Sequence, residues 1–306
     1  MRTTNKVRLY SQAKKSVRVV LAEAVRPAIK ELKMKSLQNK SVLISGGSSG
    51  IGLALAKKLA AFDTQLFLLA RRKENLSRAK KEILSIFPSK ENLIHTFPAD
   101  VRDYQTLSDQ IKPILEKYGY PDILINSAGI TYPGEFLDLD IEIFEDIIRT
   151  NYLGTVYLTK IIAPGMVKRG SGHIVNISSQ AAFIGVYGYS AYAPSKNALR
   201  GFSQVVRSEL KPYNVDVSIV YPPDTDTPQL AFENQIKPEI TRMISQNAGL
   251  LSAEKVAEVI LKGIQKGNFT IIPGFEGKIL SVFAPFIGRY FYHFAGSKAK
   301  DKLKKK

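Results

Sequence analysis

The 306-residue chain contains no cysteine, and that absence removes disulfides, thiolate-bound zinc and thiol nucleophiles together. Its chemistry has to come from oxygen and nitrogen groups. Histidine is scarce too: His95, His173 and His293 stand far apart without metal-ligand spacing. No carboxylate cluster takes their place, so no metal site is expected. Long apolar runs are missing from the start of the chain. The longest in the first forty residues is 19–22, too short for a secretory leader, so the body of the protein is expected to face the cytoplasm.

Positive charge is what the chain has in excess, with a formal net charge of +17. It is not spread evenly. Residues 1–40 carry eleven Lys/Arg against Glu23 and Glu31, and residues 296–306 carry six lysines against Asp301, so the long stretch between is close to balanced. Basicity at the two ends calls for a polyanionic surface near them, either anionic lipid or nucleic acid. No base-reading module accompanies it, so no nucleic-acid partner is expected.

The length and the 44% hydrophobic content allow one large core with appendages. Short aliphatic runs recur at 42–45, 66–70, 93–97, 123–126, 174–178, 215–221 and 270–272. Stretches with helical spacing separate them, such as Ile51, Leu55 and Leu59. This alternation predicts an α/β fold, a doubly wound parallel seven-stranded sheet with six principal helices on its two faces. Residues 222–251 break the alternation, with adjacent prolines and no strand pattern. They read as a mobile flap, either a substrate lid or a plain surface excursion.

After the first strand comes Ser45-Gly46-Gly47-Ser48-Ser49-Gly50-Ile51-Gly52, which opens into a helix. Glycines permit close backbone approach, and a helix start offers unpaired N–H groups to a pyrophosphate. In its strand-to-helix context this is a dinucleotide loop, and the fold is Rossmann-like. The second strand ends in Ala70-Arg71-Arg72, where an NAD site would place an acid for the ribose hydroxyls. Arg71 with Ser48 suits a 2′-phosphate and points to NADP(H). Asp100, before Val101, either accepts from the adenine amino group or caps the next helix, or does both.

Tyr192 and Lys196 are four apart in Tyr-Ala-Pro-Ser-Lys, with Ser179 thirteen residues upstream. On a helix, positions i and i+4 share a face, which puts the ammonium near the phenol. A free tyrosine titrates near ~10, and an adjacent cation together with an oxidised nicotinamide is expected to lower it. Tyr192 then acts as general acid or base, and Ser179 polarises a carbonyl. Ser178 and Ser179 cannot both face a substrate, because strand neighbours point to opposite faces. Pro194 falls early in the helix, where a missing N–H costs little.

Together with the glycine loop, Asn126-Ser127-Ala128-Gly129 and Thr150-Asn151-Tyr152, this set resembles the short-chain dehydrogenase/reductase family over residues 38–275. The resemblance implies catalytic roles for Asn151, Ser179, Tyr192 and Lys196, Asn151 holding a relay water and Lys196 also binding the nicotinamide ribose. It implies cofactor contacts from Gly46, Ser48, Ser49, Gly50, Ile51, Gly52, Arg71, Asp100, Val101, Asn126, Ala128, Gly129, Tyr192 and Lys196. The serine matching the family's interval to the tyrosine is Ser179. A narrower likeness lies in Ser178-Ser179-Gln180-Ala181, in residues 209–215 and in Tyr221-Pro222-Pro223-Asp224-Thr225-Asp226-Thr227-Pro228. These are similar to the 3-ketodihydrosphingosine reductases, which implies NADPH-dependent reduction of a long-chain sphingoid base. Such a base carries an ammonium beside its ketone, and Asp224 either pairs with it or caps the following helix. Two alternatives stand beside this reading: a soluble reductase of 3-oxoacyl, steroid or other lipid-like ketones, and a non-enzymatic NADP(H)-binding sensor.

The ends complete the expectation. Residues 1–37 form a basic amphipathic segment with Val17, Val20, Leu21, Ala24, Ala28 and Leu32 at helical spacing, and Pro27 kinks or splits it. Residues 276–306 combine an apolar stretch at 279–295 with a lysine tail. Seventeen residues with Pro285 and Gly288 inside fall short of the ~20 a spanning helix needs. The stretch is either an interfacial segment or an arm on a partner subunit of a homo-oligomer, and peripheral membrane attachment is expected.

Overall fold

The computed structural model describes residues 35–245 and 249–303. The expected amphipathic segment lies almost wholly outside these residues. The core is a parallel sheet of seven strands in the order β3-β2-β1-β4-β5-β6-β9. They are β1 Ser41–Ser45, β2 Gln65–Ala70, β3 Ile94–Pro98, β4 Ile123–Asn126, β5 Gly172–Ile177, β6 Val215–Val220 and β9 Thr270–Ile271. Each expected run forms a strand, shifted by a residue or two at its ends.

The runs are apolar without interruption because both faces are covered. In β1, Val42 and Ile44 enter one core, with Leu55 and Leu59 of α1 (Gly50–Ala60), Leu76 and Ile83 of α2 (Lys73–Ile86), and Val256 and Ile260 of α9 (Ala253–Gln265). Leu43 between them enters the other. There it meets Leu107 and Ile111 of α3 (Tyr104–Tyr118), Leu158 and Ile162 of α5 (Gly154–Arg169), and Val206 of α6 (Tyr192–Leu210). Alternate side chains of one strand thus serve two cores.

α4 (Ile141–Ile148) runs into α5 through a π-helical turn, Arg149–Leu153, which carries Asn151. The helix after β3 is capped by Asp103, whose carboxylate accepts from the N–H of Thr106 at 2.7 Å. This corrects the capping alternative for Asp100, which instead accepts from the Arg102 guanidinium at 2.9–3.1 Å.

The stretch expected as a mobile flap is folded. Thr225–Asp226 (β7) pairs in parallel with Leu251–Ser252 (β8), and between them lie α7 (Pro228–Ile236) and α8 (Glu239–Ser245). Thr227 caps α7 by accepting from Leu230 N–H at 3.3 Å, and Pro228 sits at the first helical position, where its missing N–H costs nothing. Helix signals this short carry little periodicity, so the sequence reads as a loop.

At the C-terminal end, α10 (Phe275–Leu303) is one continuous helix through Pro285 and Gly288. Val282, Phe283, Phe286 and Tyr290 stand exposed on it, Phe286 by 73% and Tyr290 by 77%. Among the described residues, no helix is long and apolar enough to cross a membrane.

Candidate active site

The candidate residues converge outside the carboxyl ends of the central strands, where open α/β sheets place their ligands. Tyr192 opens α6, Pro194 is its third residue and Lys196 follows one turn later. Ser179 lies two residues beyond β5, its hydroxyl accepts from Ala181 N–H at 3.1 Å, and it stands close enough to the Tyr192 phenol to favour the ionised form. The Lys196 Nζ lies 5.7 Å from the Tyr192 ring centroid and donates to the Ile177 carbonyl at 3.0 Å. Ser178 points the other way, donating its hydroxyl to the carbonyl of Lys196 at 2.8 Å. The two serines therefore divide the work: Ser178 ties the strand end to α6, and Ser179 faces the phenol.

The electrostatics differ from the sequence expectation. Burial pushes Lys196 down to about 8, because a cation loses hydration in this interior. Burial also pushes the Tyr192 phenol up, with the nearby Glu233 charge next in size, the Ser179 hydrogen bond acting against it and Asp224 adding to it. The sequence expectation joins the amine to an oxidised nicotinamide; among the protein's own groups, desolvation and two carboxylates outweigh the Ser179 hydrogen bond and favour the protonated phenol.

Asn151 is fully buried. Its Oδ1 accepts from Ile130 N–H at 2.8 Å, and its Nδ2 donates to the Ile130 carbonyl at 2.9 Å and to Ser195 Oγ at 3.0 Å. Both amide hydrogens are thereby committed to protein, so a water bound by this residue would sit on an oxygen. Gly129 closes the group. A Cβ there would come 3.2 Å from Asn151 Oδ1 and 3.3 Å from Lys196 Nζ.

Two adjoining clefts share Gly46, Ser49 and Gly129. The smaller, about 360 Å³, is lined by Ser48, Arg71, Asp100, Val101 and Ala128 among others. The larger, about 490 Å³, is lined by Ser179, Tyr192, Asp224 and Glu233 and also by the apolar Ile184, Val186, Leu230 and Leu280. Two expected contacts lie elsewhere. Asn126 is turned into the interior, donating to Asn176 Oδ1 at 2.9 Å, and lines neither cleft. Gly52 is a packing glycine: a Cβ there would come 2.3 Å from the Gly46 carbonyl oxygen. Among the described residues there is no cluster of three or more side chains able to hold a metal.

This arrangement of glycine loop, sheet and Ser-Tyr-Lys group is matched by a known family. The short chain dehydrogenase profile covers residues 40–237. The chain belongs to the short chain dehydrogenase family. Among curated relatives of this dehydrogenase, the 3-dehydrosphinganine reductase of Danio rerio is 39% identical over 264 residues, 86% of this chain and 79% of the relative. The 3-ketodihydrosphingosine reductase of Bos taurus is 40% identical over the same shares. Among solved structures, levodione reductase superposes with a TM-score of 0.70 at 26% identity, covering 79% of this chain and 98% of its own. ElxO with NADP bound gives 0.66 at 27%, covering 78% and 98%.

The family implies a dinucleotide, and the residues present fit one. Ser49, the N-cap residue of α1, makes no side-chain cap, and the first turn holds no acid, which leaves a helix start free for a pyrophosphate. Gly46 and Gly50 take positive φ, and a Cβ on Gly46 would collide with the Ala128 backbone at 2.8 Å. Thr131 and Thr150, on the smaller cleft, bury hydroxyls that have no hydrogen-bond partner among the described residues, as donors awaiting a ligand do.

The sequence reading missed Tyr189, Glu233 and Lys237. The Tyr189 hydroxyl donates to Glu233 Oε2 at 2.5 Å, and Lys237 Nζ lies 3.7 Å from both Glu233 Oε2 and Asp224 Oδ2. Asp224, expected to pair with an ammonium or to cap the next helix, stands 3.7 Å from Lys237 in this group and does not cap α7, which Thr227 caps. A glutamate and a lysine four apart look like an ordinary exposed helical pair, and only the packing of α7 against Tyr189 buries them.

Proposed function

We propose that this chain reduces the 3-oxo group of a long-chain sphingoid base to the alcohol, using NADPH. The observation that carries the reading is the Ser179–Tyr192–Lys196 group lining a cavity of mixed polar and apolar residues that adjoins the cleft of the glycine loop and Arg71. The relatives named for the same substrate, alike over most of their length, support it.

The bound dinucleotide supplies hydride. Gly46, Ser48, Ser49, Gly50 and Ile51 hold its pyrophosphate side, Arg71 its 2′-phosphate, and Asp100, Val101, Ala128 and Gly129 its adenine and ribose. Ser179 donates to the ketone oxygen and withdraws charge from it. Tyr192 gives that oxygen its proton, which suits a phenol held protonated until hydride arrives. Lys196 stabilises the phenolate that remains and returns its proton through water held on an oxygen of Asn151. The carbon gains hydride, the oxygen gains the proton, and a secondary alcohol leaves.

The apolar part of the cavity reaches Leu280 on α10, beside the exposed Phe283 and Phe286. We infer that α10 lies on an anionic membrane surface, and that residues 222–251 cover the substrate as a lid. An acyl chain then passes from lipid to cavity without crossing water. The test is turnover by the purified protein with NADPH and 3-oxosphinganine beside a 3-oxoacyl thioester. Preference for the amino ketone is expected, and preference for the thioester would move the assignment to the other lipid-like ketones.

A further inference from the structure

Carbonyl reduction uses Ser179, Tyr192 and Lys196, and that chemistry leaves unexplained the ionic group beside them in the same cavity. Glu233 is buried to 8% side-chain exposure, its Oε2 taking the Tyr189 hydroxyl at 2.5 Å and its Oε1 the Gln229 amide at 3.4 Å. Lys237 is buried to 1%, stands 3.7 Å from both Glu233 and Asp224, and its Nζ makes no hydrogen bond. Two carboxylates thus share one ammonium, at a separation too long for hydrogen bonding. Ionised, the group carries one unbalanced negative charge in a place where uncompensated charge is expensive. Burial accordingly holds Glu233 above the usual carboxylate range, although Tyr189, Lys237 and Gln229 oppose the shift. Asp224, Glu233 and Tyr189 line the same cavity as Tyr192, and the Tyr189 and Tyr192 rings are 5.6 Å apart.

We propose that Glu233, assisted by Asp224, is a cation subsite that receives the ammonium group of an α-amino ketone while Tyr192 holds its carbonyl oxygen. The inference rests on the substrate reading above and adds which residues select for the amine. In such a ketone the nitrogen sits one carbon from the carbonyl. A molecule whose oxygen meets Tyr192 therefore presents its ammonium to the wall beside that phenol, which is where Tyr189 and Glu233 stand. Tyr189 fixes the carboxylate's orientation. Lys237 offsets part of the acidic charge when the subsite is empty, yet its distance leaves carboxylate lone pairs for a closer cation. A ketone lacking the amine leaves the surplus charge buried and unanswered, so the subsite discriminates as well as binds.

The test compares 3-oxosphinganine with the chain-matched ketone lacking its amino group, in the full chain with NADPH. Glu233→Gln is expected to raise KM for the amino ketone by about ten-fold or more and to leave KM for the des-amino ketone unmoved, while any change in kcat, since Glu233 also acts on the Tyr192 phenol, should be shared by both ketones. Lys237→Met removes the competing cation and is expected to lower KM for the amino ketone, the opposite sign. The double variant Glu233→Gln/Lys237→Met leaves no orphaned lysine, guarding against a folding defect, and should keep the selective loss. An equal rise in KM on both ketones, or an unmoved KM in Lys237→Met, would overturn the subsite. A wild-type enzyme with equal kcat/KM on the two ketones would overturn it too, while leaving sphingoid-base reduction standing. Turnover of the des-amino ketone alone would sink the substrate reading and the subsite with it.

Discussion

The Lys196 ammonium donates to the Ile177 carbonyl at 3.0 Å, so the last residue of β5 holds this lysine against the strand from which Ser179 emerges. Sheet and α6 are locked in register beside the phenol proposed to transfer the proton. Ser178, bonded to the Lys196 carbonyl, repeats the lock from the other side.

Removing the phenolic hydroxyl should abolish turnover without loosening the cofactor. Tyr192→Phe is expected to lower kcat by about a hundred- to ten-thousand-fold, the usual range for a general acid. NADPH affinity, read by fluorescence titration, should stay within a few-fold. Retained turnover would end the proton-transfer assignment.

Lys196 gives the pH dependence a definite sign. With its pKa near 8, it is an ammonium below that pH and neutral above it. If the charged form supports the phenolate, kcat/KM for reduction is full below about pH 8 and falls as pH rises through it. Lys196→Arg keeps the charge across the accessible range, and although slower it should lose the fall near pH 8. An unchanged alkaline limb in that variant would place the titration on another group.

Arg71 should govern cofactor choice. A charge-assisted bond to a 2′-phosphate contributes about 1.5–3 kcal/mol, so Arg71→Ala is expected to weaken NADPH by roughly ten- to a hundred-fold and NADH hardly at all. Parallel titrations with the two nucleotides decide it, and equal losses would refute the assignment.

Gly52 tests whether the phosphate loop depends on close packing of α1. Since a Cβ there would lie 2.3 Å from the Gly46 carbonyl oxygen, Gly52→Ala should cost about 1–3 kcal/mol of stability. Thermal unfolding measures this directly. An unchanged Tm would mean that the loop yields freely.

Exposed aromatics on α10 should carry the membrane contact. Phe283→Asp/Phe286→Asp is expected to abolish co-sedimentation with anionic vesicles while leaving kcat on detergent-dispersed substrate within a few-fold. If the wild-type protein does not sediment at low salt, the surface reading fails.

Much of the fold was legible because burial on both faces writes itself as unbroken apolar runs: Val42, Leu43 and Ile44 are all wholly buried, in alternating cores. The Ser-Tyr-Lys group was legible because helical spacing constrains Tyr192 and Lys196 directly. What stayed hidden depends on tertiary placement. Glu233 and Lys237 are buried by elements distant in sequence, and burial is also the largest influence on the Tyr192 phenol. The sequence offered Asp100 as a cap, and geometry gives the cap to Asp103 instead. In α10, Pro285 and Gly288 suggested interruption, yet the helix tolerates both.

The pairing of Thr225–Asp226 with Leu251–Ser252 brings the two ends of a long excursion side by side. An excursion closed at its neck can lengthen, shorten or exchange helices with little strain on the sheet beneath, since closure entropy grows slowly with length. Evolution can therefore retailor the amine-facing helix for a new ketone while the hydride-handling floor stays as it is.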